Sequence, residues 1–315
     1  MPASPEPEQL GFEGMPRRLF AATPSRLSTF TACPRRYRFT YLVRPTPPKG
    51  PPWAHNSLGA AVHNALRDWW LLTPSRRTPA AAGRLLDAAW ITDGFADPGQ
   101  SATWRARARD WVEAYVAELD PADEPVGVER GVAVRTDRLA LSGRVDRIDG
   151  RAGELVIVDY KTGRWVPDTD DARGSLALAV YALAAGRTLR RPCRRVELHH
   201  VPTGRVAGWE HTEQSLARHV RRATDTADDI EHAAAAVAGG ADVDAAYRPV
   251  PGPQCAWCDF RRHCPDGRAA TPERPPWAGL AHPATVPPDA APGEGVTAGR
   301  GMPTSARDTT APGEY

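Results

Sequence analysis

The chain has 315 residues, 41% of them hydrophobic and 25% charged, with a net charge of +2. These are the values of an ordinary globular protein, long enough for one large domain or two smaller ones, and they call for no fibrous or wholly disordered class. A charge this small identifies no nucleic-acid partner, so any such surface must come from local clusters of arginine.

In chain order, the N-terminal MPASPEPEQ is acidic and proline-rich. Residues 1–22 and 268–315 lack periodicity and are rich in Pro, Gly, Ala and Thr, so both are expected as disordered tails around a folded part, 23–267. No run approaches the roughly 20 apolar residues of a membrane span, which predicts a cytoplasmic protein. Apolar residues at helical spacing predict helices over 26–41, 57–72, 80–90 and 102–119. Strand patterns follow at 126–135, 139–148 and 154–161, where β-branched residues concentrate. A helix over 172–185, strands over 195–201 and 205–210, and a long helix over 212–238 complete the pattern. A helical lobe followed by a mixed sheet with a helix across it implies an α/β or α+β domain.

In ELVIVDYKTG the apolar run marks a buried strand, and alternation puts Asp159 and Lys161 on one face with Tyr160 opposite. Buried carboxylates need a cation or a metal. The preceding strand, LALSGRVDRID, reaches this one through Asp149, Gly150 and Gly153, so the two are expected to pair as a hairpin. With Asp149 opposite Glu154, Asp146 falls opposite Ile157 and diagonal to Asp159, within roughly 7–8 Å backbone to backbone. A slip of one residue would turn Asp146 to the other face. Two carboxylates at that distance suit Mg²⁺ or Mn²⁺ beside a phosphate, and Lys161 then serves the attacking water or the transition-state charge. The plain alternative is an ion pair at a strand end. Only Lys49 and Lys161 among the 40 basic residues are lysine, which favours a position needing a compact ammonium. His63 lies at the edge of the apolar stripe of SLGAAVHNALRDWW, as a ligand or a boundary histidine.

Cys255, Cys258 and Cys264 form C-x2-C-x5-C, and Cys33 stands far upstream in TACPRRYRFTYL. Four thiolates complete a zinc site or an iron–sulfur cluster, and a compact triplet with one distant cysteine favours the cluster over zinc. Cys193 has no partner pattern and reads as a small buried residue.

The order of PSRLSTFTACPRRYRFTYL, LGAAVHNAL, GRVDRID, VIVDYKTG and the cysteine triplet resembles the RecB-type nucleases of the PD-(D/E)XK superfamily. It resembles most the iron–sulfur branch with AddB-like and CRISPR-associated exonuclease-like members. The resemblance implies a restriction-endonuclease-like mixed sheet flanked by helices, with an N-terminal helical lobe. It also implies a metal bound by His63, Asp146, Asp159 and the Tyr160 carbonyl, catalysis by Lys161, and a 4Fe–4S cluster on Cys33, Cys255, Cys258 and Cys264. Glu129 opens the first strand of the motif, with a less defined role. The family places a glutamine four residues before the tyrosine on the following helix; here Tyr181 is present and Ala177 holds the glutamine position. The implied activity is a DNA exonuclease on single strands or duplex ends in repair or recombination. The alternative is a poorly catalytic nucleic-acid-binding subunit. No G-x-x-x-x-G-K-[ST] occurs, so unwinding would belong to a helicase or repair partner. Arginines at 35, 36, 38, 105, 109, 261 and 262 are candidates to line a DNA groove.

Overall fold

The computed structural model describes residues 19–280. Two helices, α1 (Pro24–Ala32) and α2 (Pro34–Tyr41), stand where the pattern predicts one over 26–41. Pro34 has no amide hydrogen to continue the first helix, and Cys33 between them is extended. Next come α3 (Ala54–Trp70), α4 (Pro79–Ala89) and α5 (Pro98–Ala117). Thr78 and Asp97 cap α4 and α5 through their side chains, each followed by proline at the first helical position, which starts α5 ahead of its expected 102.

Six strands form one sheet among the described residues: β1 (Phe20–Ala22), β2 (Gly127–Arg135), β3 (Leu139–Arg151), β4 (Glu154–Lys161), β5 (Cys193–His200) and β6 (Arg205–Glu210). Their order is β1-β3-β4-β5-β6, with β2 also paired to β3. The pairs β1–β3 and β4–β5 are parallel and the others antiparallel, so the sheet is mixed. Between β4 and β5 the chain forms α6 (Thr169–Gly174) and α7 (Leu176–Leu189), separated by an extended Ser175 that caps α7. After β6 come α8 (Glu213–Ala238), α9 (Val243–Ala246) and α10 (Pro265–Ala270). This is the expected restriction-endonuclease-like architecture, with N-terminal helices.

Both faces of the sheet are covered. Leu155 and Ile157 of β4 enter a core with residues of α1, α7 and α8, whereas Val156, Val158 and Tyr160 enter a second core with α3, α4 and α5. Burial on both faces explains why β4 reads as a continuous apolar run rather than an alternating one. The edges of the folded part extend beyond 23–267. Phe20–Ala22 pairs with β3, Leu280 is buried, and the Ala54 amide donates to the Pro276 carbonyl at 3.2 Å. Residues 1–18 and 281–315, which hold the rest of the expected tails, lie outside the described residues. No described helix is long and apolar enough to cross a membrane.

The hairpin register differs from expectation. Arg151 pairs with Glu154, leaving Ala152 (φ 49°) and Gly153 (φ 85°) as a two-residue turn. Positive φ at both central positions is the tight turn whose twist matches the flanking strands. The register is therefore shifted by two residues from the one expected through Asp149 and Gly150. An even shift does not exchange faces.

Candidate functional site

With this turn, Ile148 pairs with Ile157 and the β3–β4 ladder ends at Arg147 opposite Val158. One step further the register brings Asp146 opposite Asp159. The strands do not continue their backbone pairing there; instead Asp146 Oδ2 accepts the Tyr160 amide hydrogen at 2.9 Å. On its other side, β3 faces β2, and pairing is interrupted at the matching point, between Val128–Arg147 and Arg130–Val145. Glu129, opposite Asp146, has φ 48°, a left-handed backbone that costs a non-glycine residue about 1–2 kcal/mol. The alternation of β3 breaks here too. Gly143 faces Tyr181 of α7, so closely that a Cβ would overlap the ring, whereas Arg147 lies over Trp70 of α3. Strain in a strand interior is retained where surrounding structure demands it, and such positions cluster at functional sites.

The distortion turns the Glu129 carboxylate toward Asp146 and His63. One ligand atom from each of His63, Glu129 and Asp146 lies within 4.8 Å of the others. His63 Nδ1 is 3.4 Å from Asp146 Oδ2. Asp159 is outside this trio and pairs with Lys161, its Oδ2 2.5 Å from Nζ. The compact set thus contains Glu129, the residue with the least defined role in the sequence reading. The alternating pattern gives no sign of its left-handed backbone.

The charges of these groups act on one another. Burial pushes the Asp159 carboxyl up; Lys161 opposes this and Asp146 adds to it, with a net rise. Glu129 is raised by burial and then by Asp146. Burial lowers the His63 pKa, but the hydrogen bond and charge of Asp146, with Asp159, outweigh it and raise the value. Tyr181 is raised by burial and then by the charges of Asp159, Asp146 and Glu129. Carboxylates that destabilise each other's charge, beside an imidazole, form a donor set that fits a hard divalent cation.

A buried polar network that the sequence reading missed supports these strands. Tyr160 turns away from Asp159, as alternation predicts, and its hydroxyl accepts from Trp70 Nε1 at 3.2 Å and Arg147 Nη1 at 3.3 Å. Arg147 also donates to the Tyr115 hydroxyl, which shares a 2.7 Å hydrogen bond with His199 Nδ1. His199 Nε2 is 3.0 Å from Glu197. Arg147 and Tyr160 each follow an acidic site residue, so this network holds both strands from behind. The available signal was a charged residue at an inward strand position.

Cys33, Cys255, Cys258 and Cys264 line one small cavity, and none forms a disulfide. The Gly267 amide donates to Cys264 Sγ at 3.3 Å, and the Cys258 thiol is raised first by burial, with Cys33 among the further contributors. No three of the four sulfurs lie within 4.8 Å of one another. Cys193 is buried apart from them, its thiol pushed up to about 12 by burial. The candidate DNA-binding arginines are largely engaged within the protein. Arg35 pairs with Asp244 and Asp266, Arg38 with Asp244, and Arg36 with Asp259. Arg105 and Arg109 both meet Asp87, and Arg261 donates to the carbonyls of Arg268 and Thr271.

The family model described as the PD-(D/E)XK nuclease superfamily matches residues 21–265. A solved structure titled "Crystal structure of SSO0001" is similar at 13% identity with a TM-score of 0.36, over 81% of this chain and 90% of that one. No curated protein matches. The matched span takes in α3 with His63, the distorted β2–β3–β4 meander and all four grouped cysteines, and the chain belongs to the PD-(D/E)XK nuclease superfamily.

Proposed function

We propose that this protein is a divalent-metal-dependent DNA exonuclease of the RecB type, acting on single strands or duplex ends in repair or recombination. The carrying observation is the His63–Glu129–Asp146 group beside the Asp159–Lys161 pair. His63, Glu129 and Asp146 hold the cation, and Asp159 completes its surroundings once Lys161 turns to the substrate. Mg²⁺ or Mn²⁺ in that position supplies Lewis acidity toward a phosphate and activates water. Lys161 places an ammonium where negative charge develops, and Tyr181 offers a protonated hydroxyl to the same space. The Tyr160 carbonyl is assigned as a further ligand on the family resemblance.

The four-cysteine cavity is assigned to a 4Fe–4S cluster, with zinc second. A compact triplet with one distant cysteine favours the cluster over zinc, whose sites more often use two paired C-x2-C knuckles. Bound there, the cluster joins the α1–α2 corner to the segment before α10. Anaerobically purified protein is expected to contain iron and acid-labile sulfide; stoichiometric zinc without iron would reassign the cavity. Ala177, one turn before Tyr181, favours a second reading as a poorly catalytic DNA-binding subunit of a helicase–nuclease or repair complex. End-labelled single- and double-stranded DNA incubated with Mg²⁺ or Mn²⁺ separates the two. Shortening from an end supports the exonuclease, whereas retention without cleavage supports the subunit.

A further inference from the structure

A cavity of about 800 Å³ opens beside Lys161, at the end of β4. Its walls include Trp104 and Trp111 of α5, Trp257 from the cysteine segment, and His55 of α3. His55, Gly59 and His63 recur every fourth residue on α3, and Gly59 also lines the cavity, so its wall begins one turn, about 6 Å along the helix, from His63. Trp104 and Trp111 meet edge to face with ring centroids 6.0 Å apart, as do His55 and Trp257 at 5.5 Å. Lys161 and Arg164 stand among the lining residues, and no aspartate or glutamate does. Two lining groups, Trp104 Nε1 and His55 Nδ1, are buried without a hydrogen-bond partner among the described residues. Such groups are costly to leave unpaired.

A ligand suited to this cavity is flat and aromatic, carries hydrogen-bonding atoms on its edge, and is attached to an anion near Lys161. We propose that the cavity is a nucleobase subsite, in which an unpaired base of the strand being cut stacks on Trp111 while its backbone passes Lys161 and Arg164. This rests on the nuclease reading and adds to it the selection of unpaired strands, since a base held in a duplex stack cannot enter. Burial lowers the His55 pKa, which keeps its ring neutral toward a base.

The test uses the full chain with Mg²⁺ and end-labelled oligonucleotides carrying one abasic residue at successive positions, in deoxy and ribo series. One position is expected to lower kcat/KM about tenfold or more, the scale of a lost aromatic stack. Trp111→Ala should reduce the intact oligonucleotide to that same level and no longer distinguish abasic from intact, while Trp111→Phe should restore the difference. Uniform cleavage of every abasic oligonucleotide overturns the proposal, as does a Trp111→Ala protein that still discriminates fully. The abasic comparison in the unaltered protein stands even where the alanine variant fails to fold. If no oligonucleotide is cut, the nuclease reading fails, and fluorescence anisotropy decides the subsite separately. Weaker binding of one abasic oligonucleotide supports it, and equal affinities overturn it. A response in only one of the two series identifies DNA or RNA as the source of the base.

Discussion

Lys161 is half-exposed at the end of a buried strand and contacts the carboxylate of Asp159, in a chain whose only other lysine is Lys49 and whose remaining basic residues are arginine. A guanidinium is wider and its charge more diffuse, so it cannot occupy the position of a compact ammonium beside an attacking water. Lys161→Arg is therefore expected to fold normally and to lose about 10²–10³ in kcat, the usual consequence of removing one transition-state contact. Near-normal cleavage by this variant would reduce Lys161 to a bulk charge. At this scale the sequence was informative where chemistry follows alternation: Asp159 and Tyr160 do face opposite ways. It was uninformative at Glu129, whose usefulness depends on a left-handed backbone imposed by its neighbours.

Among the elements, the β3–β4 hairpin sets the geometry of the site. The turn expected through Asp149 and Gly150 is instead made by Ala152 and Gly153, and β3 runs three residues longer than the pattern suggested. Asp149 is a poor guide because its carboxylate is used by Arg147 and Arg151 rather than by the turn. Ala152 pays a steric cost at φ 49° that asparagine largely avoids, and Asn-Gly is the favoured pair for such a turn. Ala152→Asn is expected to stabilise the protein by about 0.5–1 kcal/mol, read as a raised midpoint in thermal or urea unfolding. A lowered midpoint would show that the turn is held by contacts other than its own conformation. Other elements were illegible for a related reason. The three-residue β1 and the short helices α9 and α10 owe their form to what they pack on, since so few residues carry no periodic signal.

For the whole molecule, stability depends on pH through the network behind the sheet. Burial alone would raise the Glu197 carboxyl, but hydrogen bonds and charges from His199 and Arg151 hold it at about 2, against an ordinary 4.5. A depressed carboxylate contributes its full stabilisation above pH 4.5 and loses it as pH falls toward 2. The difference corresponds to about 3 kcal/mol. Urea unfolding between pH 5 and 2.5 should therefore show a steeper loss in the wild type than in Glu197→Gln; parallel curves would remove Glu197 from the account. The family and the order of elements were legible because they rest on long apolar patterns and motifs in sequence. The buried network and the aromatic cavity were not, because each assembles residues from three or more elements.

In the proposed reaction His63, Glu129, Asp146 and Asp159 hold a cation at which Lys161 assists phosphodiester cleavage. Single-turnover cleavage of an end-labelled single strand by the wild type and by Asp159→Ala, each with Mg²⁺ and with EDTA, tests it most directly. The account predicts Mg²⁺-dependent cleavage by the wild type, none in EDTA, and a loss of about 10²–10³ or more in the variant with its fold intact by circular dichroism. Cleavage that persists in EDTA, or that proceeds at the wild-type rate in Asp159→Ala, would contradict it.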